Sequence, residues 1–505
     1  LDIRSFNGLM AISLLGFAAV ASAASPTTSL VSVGTDGEFP DCGAPENFCF
    51  SIGPAVTPDG RYVAFESVAP NIAPGPPLSD PISQVLVHDR QTCTTVRVSE
   101  SPSGQPGDDP SSDATLSADG QLVAFRSRAG NLVPDSTRGT EQVYVYNAKT
   151  QALEMISRSP DGVPGNGNAA VPQISDDGRH VLFQNSASNL VPNDTNDDPD
   201  IFVYDRQTET MTRVNVSESG EQANGPSRRP GMSPDGRFVV FDSSASNLVD
   251  QPFSSNQVFL LDRDSDENGV FGEPDGRTLT LVSVNDTGEP GNGFSSWGVP
   301  SPDGQKVVFS GSASVDNLVP GDTNNDTDVF VRHLDTGTTT RESVGPNGEQ
   351  TSAGSFFPLD FSADGQFLTF HSAAQELVDG GHNGVTHIFR RNLKTGQNMI
   401  ISRNSDGELA DQSSEVGVMA ANGQTVAFTS AATNLEPGFE NNLWVNVYVR
   451  ALQPSDLNGD NVVGVSDLLL LLSEWGAGDC SVADINDDGD VAVADLLELL
   501  SSWGM

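Results

Sequence analysis

Lysine is almost absent from this chain: it occurs only at Lys149, Lys306 and Lys394, and 25 Lys+Arg face 68 Asp+Glu, for a net charge of −43. Nucleic acid and anionic membranes need a basic face to displace their counterions, so both are excluded as partners. Such a surface stays soluble and attracts divalent cations; a salt-rich habitat gives the same composition. Long apolar runs are lacking too. Leu9 to Val20 is too short to span a bilayer well, and the Leu-rich stretch near Leu468 is short and flanked by acids, so no membrane span is expected. Catalytic punctuation is equally sparse. The six histidines, His88, His180, His333, His371, His382 and His387, stand at no repeated position and in no nucleophile motif. The four cysteines, Cys42, Cys49, Cys93 and Cys480, form no CxxC pair and no zinc spacing.

The N-terminus carries an export address. Arg4 precedes the apolar run, and Ala21-Ser22-Ala23 follows it, a secretory signal over residues 1–23 with cleavage after Ala23. The mature protein is expected to be secreted, either extracellular or at the periplasm or cell surface. In an oxidising compartment a local Cys42–Cys49 bridge is geometrically easiest. Cys480 has no near partner, and four unpaired thiols remain the alternative. With 36% hydrophobic and 7% aromatic residues the chain is globular, and 505 residues suffice for a ring-shaped domain plus a tail.

A turn dipeptide recurs seven times: Asp59-Gly60, Asp119-Gly120, Asp177-Gly178, Asp235-Gly236, Asp303-Gly304, Asp364-Gly365 and Asn422-Gly423. Such pairs suit tight hairpins in which both central residues take positive φ. Six residues after each first member stands Phe65, Phe125, Phe183, Phe241, Phe309, Phe370 or Phe428. Three residues before it stands Val56, Leu116, Ile174, Met232, Pro300, Phe361 or Met419. Each repeat reads as four antiparallel strands, and seven such repeats make an all-β, seven-bladed propeller over residues 24–452. The last repeat stops after its third strand near Arg450, and Ser29 to Val33 ("SLVSV") supplies the missing fourth strand, closing the ring and covering a sheet edge. The second–third and fourth–first connections are long and share one rim, where binding is expected.

The "SPDGRFVVF" segment and its relatives resemble the TolB-type, WD-like propeller repeats of exported bacterial proteins, over about residues 29 to 450. That resemblance implies the fold and leaves the function open.

The inner strands carry few acids. Asp113 in the second blade and Asp360 in the sixth are the clearest, but a general acid–base pair needs carboxylates within about 10 Å and these blades are not neighbours. No catalytic residue is therefore assigned. At the start of the inner strands of blades four to six cluster Arg228, Arg229, Phe294, Trp297, Phe356 and Phe357, a set that could stack on and hydrogen-bond a sugar or peptide, or pack between blades.

Three kinds of acidic loop follow. Asp194 to Asp200 and Asp322 to Asp328 both read DxNxDxD, either calcium ligands or solvated turns copied with the repeat. In blade four the third–fourth turn expands to D-x-D-x-N-G-x5-D, with Asp264, Asp266, Asn268, the Val270 carbonyl and Asp275 as expected calcium ligands. Asp replaces Glu at its twelfth position, and Pro274 argues against a following helix. In residues 453–505 two halves align without a gap. Asp456, Asn458, Asp460, the Val462 carbonyl and Asp467 form one candidate calcium site, and Asp484, Asn486, Asp488, the Asp490 carbonyl and Asp495 form the other. Like charges this close repel unless a cation joins them, so Ca2+ is expected to drive folding. Each loop runs into a helix, Leu468 to Trp475 and Leu496 to Trp503, that can bury Leu and Trp against the other, and Gly476 and Gly504 suit the helix ends.

This duplicated segment resembles a type I dockerin, two loop–helix halves of EF-hand type without the entering helix. The resemblance implies a calcium-binding tail and a cohesin-like protein partner in polysaccharide breakdown. The partner-selecting positions are Val465-Ser466 and Val493-Ala494 here, without the usual paired hydroxyls. The expected function is a secreted, calcium-binding propeller scaffold with a docking tail. The alternatives are an extracellular hydrolase or accessory protein of polysaccharide breakdown, and a structural envelope protein.

Overall fold

The computed structural model describes residues 26–34, 37–41, 49–76, 81–273, 275–312, 315–439, 444–452, 463–473, 475–476 and 491–503, with 455, 483 and 485; at 357–359 only the backbone is described. The secretory signal at 1–23 and most of the tail's loop ligands lie outside these residues.

Seven four-stranded antiparallel sheets form the propeller, each paired in chain order except the last. Blade one is Ser51–Val56, Tyr62–Ser67, Gln84–Asp89 and Thr94–Arg97. Blade seven is Ser414–Met419, Thr425–Ser430 and Asn446–Ala451, and its fourth strand is Thr27–Leu30 from the other end of the chain. Thr27 lies opposite Ala451 and Leu30 opposite Tyr448. The ring therefore closes as expected, but two residues earlier than the "SLVSV" segment suggested. The reason is Ser32. Its hydroxyl accepts the Val447 N–H at 3.2 Å, and serine or asparagine does the same after the fourth strands of other blades, as Ser99 does for Val85. The side chain thus takes the return bond of the ladder, while the Val31 N–H still donates to the Val447 carbonyl at 2.8 Å.

The phenylalanine column is the core. Phe65, Phe125, Phe183, Phe241, Phe309, Phe370 and Phe428 are all 0% exposed. Six of them stack on an aromatic ring of the third strand, for example Phe309 on Phe330 at 5.8 Å and Phe370 on Phe389 at 5.7 Å. Burying one such ring contributes roughly 1.5–3 kcal/mol, and one per blade sets a repeated floor to the stability.

The hairpin turns differ from expectation in one respect. Only the glycine has positive φ, 78° at Gly60 and 79° at Gly236, while the preceding Asp does not. The turn is a type I turn ending in a left-handed glycine, closed by Gly60 N–H to the Thr57 carbonyl at 2.8 Å. Asp is chosen for its carboxylate, not its φ: Asp59 accepts from the Thr57 hydroxyl at 2.6 Å and from the Arg61 N–H at 3.0 Å.

Both described cysteines, Cys49 and Cys93, are disulfide-bonded, so the all-thiol alternative is wrong. Cys42 and Cys480 lie outside the described residues. No described helix is long and apolar enough to cross a membrane.

In the tail, α1 (Val465–Ser473) and α2 (Val493–Ser501) start three residues earlier than expected and end before the tryptophans. Each begins where its aspartate caps it: Asp467 accepts the Gly464 N–H at 2.8 Å, and Asp495 accepts the Ala492 N–H at 2.7 Å. The helices share a small core of Leu471 and Leu499 with Val463, Ile485 and Val491. Trp475 and Trp503 are 46% and 42% exposed, so they do not join that core as expected. Gly476, at φ 84°, ends the first half.

Candidate binding site at the channel mouth

Successive inner strands touch all the way round, from Ser51–Val56 of blade one to Ser414–Met419 of blade seven and back. They line the central channel, and they begin on the rim of the long connections. Every inner strand carries a bulge near its start. Its third residue has positive φ in six blades: Gly53 62°, Asp113 54°, Val171 49°, Arg229 48°, Trp297 56° and Val416 49°. For non-glycine residues this geometry costs on the order of 1–3 kcal/mol each, and for the β-branched Val171 and Val416 it is a strong outlier.

The strain is held by the preceding blade. The Asp113 N–H donates to Glu66 at 2.7 Å, and the Arg229 N–H to Gln184 at 3.2 Å. The Trp297 N–H donates to Asp242. Glu66, Gln184 and Asp242 each directly follow a core phenylalanine. Across the seven blades that position reads Glu66, Arg126, Gln184, Asp242, Ser310, His371 and Thr429, polar every time and never the same. Sequence reasoning missed this column. Its signal was present: one polar position beside an invariant Phe in an otherwise β-branched strand.

The mouth is two-sided. On the side of blades four to six, Arg229 stacks over Trp297 at 5.1 Å and Phe294 at 5.9 Å while pairing with Asp242 at 3.1 Å. Phe294, Trp297 and Phe356 are 39%, 36% and 39% exposed, and Arg228 is exposed as well. Of the expected cluster only the Phe357 side chain lies outside the described residues. The rings are part-exposed at the mouth and also pack between blades, since Arg229 of blade four lies over Phe294 and Trp297 of blade five. Burial pushes Asp242 up to about 6, although Arg229, Asn256 and the Trp297 N–H hold it down.

On the side of blades one and two the chemistry is acidic. Burial pushes the Glu66 carboxyl up to about 7, and the neighbouring Asp113 charge adds to this. Gly53 stands directly in front of it, where a Cβ would meet Oε1 at 2.9 Å. Arg126 binds Asp113 at 2.7 Å and Glu141 at 2.7 Å. Asp360, raised to about 7 by burial, sits on a bulge of the blade-six inner strand and interacts with Asp176 of blade three, not with Asp113.

The acidic loops resolve differently. In the DxNxDxD loops a guanidinium lies between the carboxylates: Arg213 contacts Asp194 at 3.4 Å and Asp200 at 3.2 Å, and Arg341 contacts Asp322 at 3.1 Å and Asp328 at 3.4 Å. The Asp264 loop closes on itself. Asp264 accepts the Asn268 N–H at 3.0 Å and the Gly269 N–H at 3.1 Å, and the Asn268 amide bridges Asp266 and Glu273. Val270 is 51% exposed. Among the described residues no three His, Cys, Asp or Glu side chains converge as a metal site. In the tail, Asp467 and Asp495 are described and fully buried; Asp456, Asn458, Asp460, Val462, Asp484, Asn486, Asp488 and Asp490 lie outside the described residues.

No family model matches the chain, and no curated protein matches its sequence. Among solved structures it is similar to TolB from Acinetobacter baumannii, at 18% identity over 63% of this chain and 59% of that one, with a TM-score of 0.35. It is also similar to an oligogalacturonate lyase in complex with manganese, at 14% identity over 85% of this chain and 97% of that one, TM-score 0.48. A third is the β-propeller domain of the Trilobed protease from Pyrococcus furiosus, at 10% identity over 76% of this chain and 91% of that one, TM-score 0.43.

Proposed function

We propose that this protein is an exported binding scaffold whose propeller holds a sugar or peptide at the channel mouth. The observation that carries this reading is the exposed Arg229–Trp297 stack, built on two strained residues that the preceding blades hold in place. Backbone strain kept at an open, aromatic, charged surface favours recognition over packing. Glycan and peptide arrays test it. Trp297→Ala should lower affinity at least tenfold while leaving the far-ultraviolet spectrum unchanged. Equal binding by both proteins, or no ligand on either array, would defeat the reading.

Export is supported by the two disulfide-bonded cysteines as well as by the N-terminal signal. The tail is proposed to bind Ca2+ through its two loops and to dock a cohesin-like partner. The capped, fully buried Asp467 and Asp495 at equivalent places support a shared role as loop-closing ligands. Calcium would supply the positive charge each acid-rich loop lacks. The Asp264 loop is proposed as a third calcium site through Asp264, Asp266, Asn268, the Val270 carbonyl and Asp275. A helical gain on adding millimolar calcium to the full chain, lost in Asp456→Ala with Asp484→Ala, tests the tail.

A hydrolase of polysaccharide breakdown is the second reading, favoured by the Glu66 carboxyl behind Gly53 and beside Asp113. A carboxyl protonated near neutrality suits a general acid. Glu66→Gln should then abolish turnover without changing ligand affinity.

A further inference from the structure

One third–fourth turn is unlike the others. In blade one that turn runs only from Arg90 to Cys93, and in blade five from Leu334 to Gly337; in blade four it runs from Arg263 to Arg277. Beside it stands the first–second turn of blade five, Asp303-Gly304. Both turns lie at the end of the propeller opposite the channel mouth. Between them opens a cavity of about 350 Å³, within the size range of small-molecule sites.

The cavity has an apolar floor and polar walls. Phe238 and Leu260 are buried and Leu334 is half-buried. Above them the long turn contributes Ser265 and Glu267, and blade five contributes Asp303 and Gln305. Thr278 and Thr280, from the fourth strand of blade four, complete the polar lining. None of these is among the proposed calcium ligands of the Asp264 loop.

The long turn releases a hydroxyl that shorter turns consume. Where a threonine opens the fourth strand elsewhere, its hydroxyl bonds to a threonine two residues earlier: Thr94 to Thr92, Thr210 to Thr208 and Thr338 to Thr336, each at 2.8 Å. Thr278 opens the fourth strand of blade four, and two residues before it stands Gly276. The side chains of Thr278, Thr280, Ser265 and Gln305 make no hydrogen bond among the described residues. Three hydroxyls and an amide, each able to donate and accept, thus face one cavity unspent.

The charge around them is negative. Arg237 is the cation of the lining, and Asp262 already holds it through Nε at 2.8 Å and Nη2 at 2.9 Å. Glu267 reaches that guanidinium only at 3.8 Å and its side chain is 78% exposed. Asp303 accepts from the Ser301 hydroxyl at 2.6 Å and the Gln305 N–H at 3.0 Å through Oδ1, which leaves Oδ2 open. Two carboxylates therefore remain for a ligand, in a chain whose net charge of −43 draws cations towards it.

We propose that this cavity is a second binding site, for an amino sugar. Its hydroxyls would meet Thr278, Thr280, Ser265 and Gln305, its ammonium would lie against Glu267 and Asp303, and its C–H face would rest on the apolar floor. The site is separate from the channel mouth and does not depend on what binds there.

The test titrates glucosamine into the full chain, with glucose as the neutral counterpart, and follows binding by ligand-observed NMR. Glucosamine should bind saturably and at least fivefold tighter than glucose. Thr278→Val with Thr280→Val keeps β-branched residues in the strand and should weaken it at least fivefold. Glu267→Gln should remove most of its advantage over glucose, and Trp297→Ala should change nothing. If the double valine variant fails to fold, Gln305→Ala, on an exposed turn, should weaken binding instead. No saturable binding of glucosamine overturns the proposal, as does equal affinity for the two sugars. So does unchanged affinity in the folded lining variant, or loss of binding in Trp297→Ala, which would place the sugar at the channel mouth.

Discussion

The loops at Asp194 and Asp322 and the loop at Asp264 look alike in sequence, yet they settle their charge in opposite ways. The first two place an arginine between their carboxylates, drawn from the fourth strand of the same blade. In the third, Arg237 reaches the exposed Glu267 at 3.8 Å, and the first carboxylate is spent on the loop's own backbone N–H groups. At the channel mouth a third solution appears, since burial keeps Glu66 protonated to about pH 7. An acid-rich motif therefore names a problem, repulsion, and not its solution. The solution depends on which residue the neighbouring strand offers.

The strongest way to break this contrast is to remove the internal cation. Arg341→Met should destabilise the propeller by about 3–5 kcal/mol, because Asp322 and Asp328 are left facing each other in a buried place. Urea denaturation measures it, and millimolar calcium should restore part of the loss in the variant while leaving the wild-type loop unchanged. An unaltered midpoint in Arg341→Met would deny the arginine that role. Asp264→Ala is expected to cost less, about 1–3 kcal/mol, from two N–H groups left without their acceptor. In the wild type, calcium should slow proteolytic nicking at residues 264–275 and leave 194–200 and 322–328 unaffected; nicking at equal rates with calcium and chelator would merge the two loop classes.

Smaller again is the protonation effect. Glu66 holds its proton to about 7 when folded, against an ordinary value of 4.5. The folded state thus carries more protons between those limits, and its stability falls as pH rises from about 4.5 to about 7. Glu66→Gln, which still accepts the Asp113 N–H, should flatten that decline and melt a few degrees higher at pH 8. A melting profile unchanged across that window would show the carboxyl ionised like any other. The smallest effect belongs to exposed pairs. Arg179→Gln removes the contact to Asp205 on a side chain 38% exposed, and should cost under about 1 kcal/mol.

The architecture was legible because its signals repeat. A phenylalanine six residues after each turn needs no partner's identity to be seen, and seven copies outweigh local noise. The closing strand was legible for the same reason, but its bounds were not, since Ser32 interrupts the ladder through its side chain. The rim aromatics were found as residues that face solvent from strand starts. Glu66, Gln184 and Asp242 were not, because their partners lie on the next blade, 45 to 55 residues away in sequence. The arginine fillers were missed likewise: Arg213 and Arg341 sit on strands that read as ordinary, and only the fold brings them to the loops. Trp475 and Trp503 looked like core by composition, yet each follows its helix's last residue and stays outside the shared face.

The closing strand also has a mechanical consequence. The third strand of blade seven, Asn446–Ala451, is gripped on both sides, by Thr425–Ser430 and by Thr27–Leu30. The tail follows directly from its end. A pull on the tail therefore runs along that strand and loads both ladders in shear, so their bonds must yield together rather than peel in turn. A molecule anchored by its tail in flowing surroundings would transmit tension into the one blade where both ends of the propeller chain are stitched.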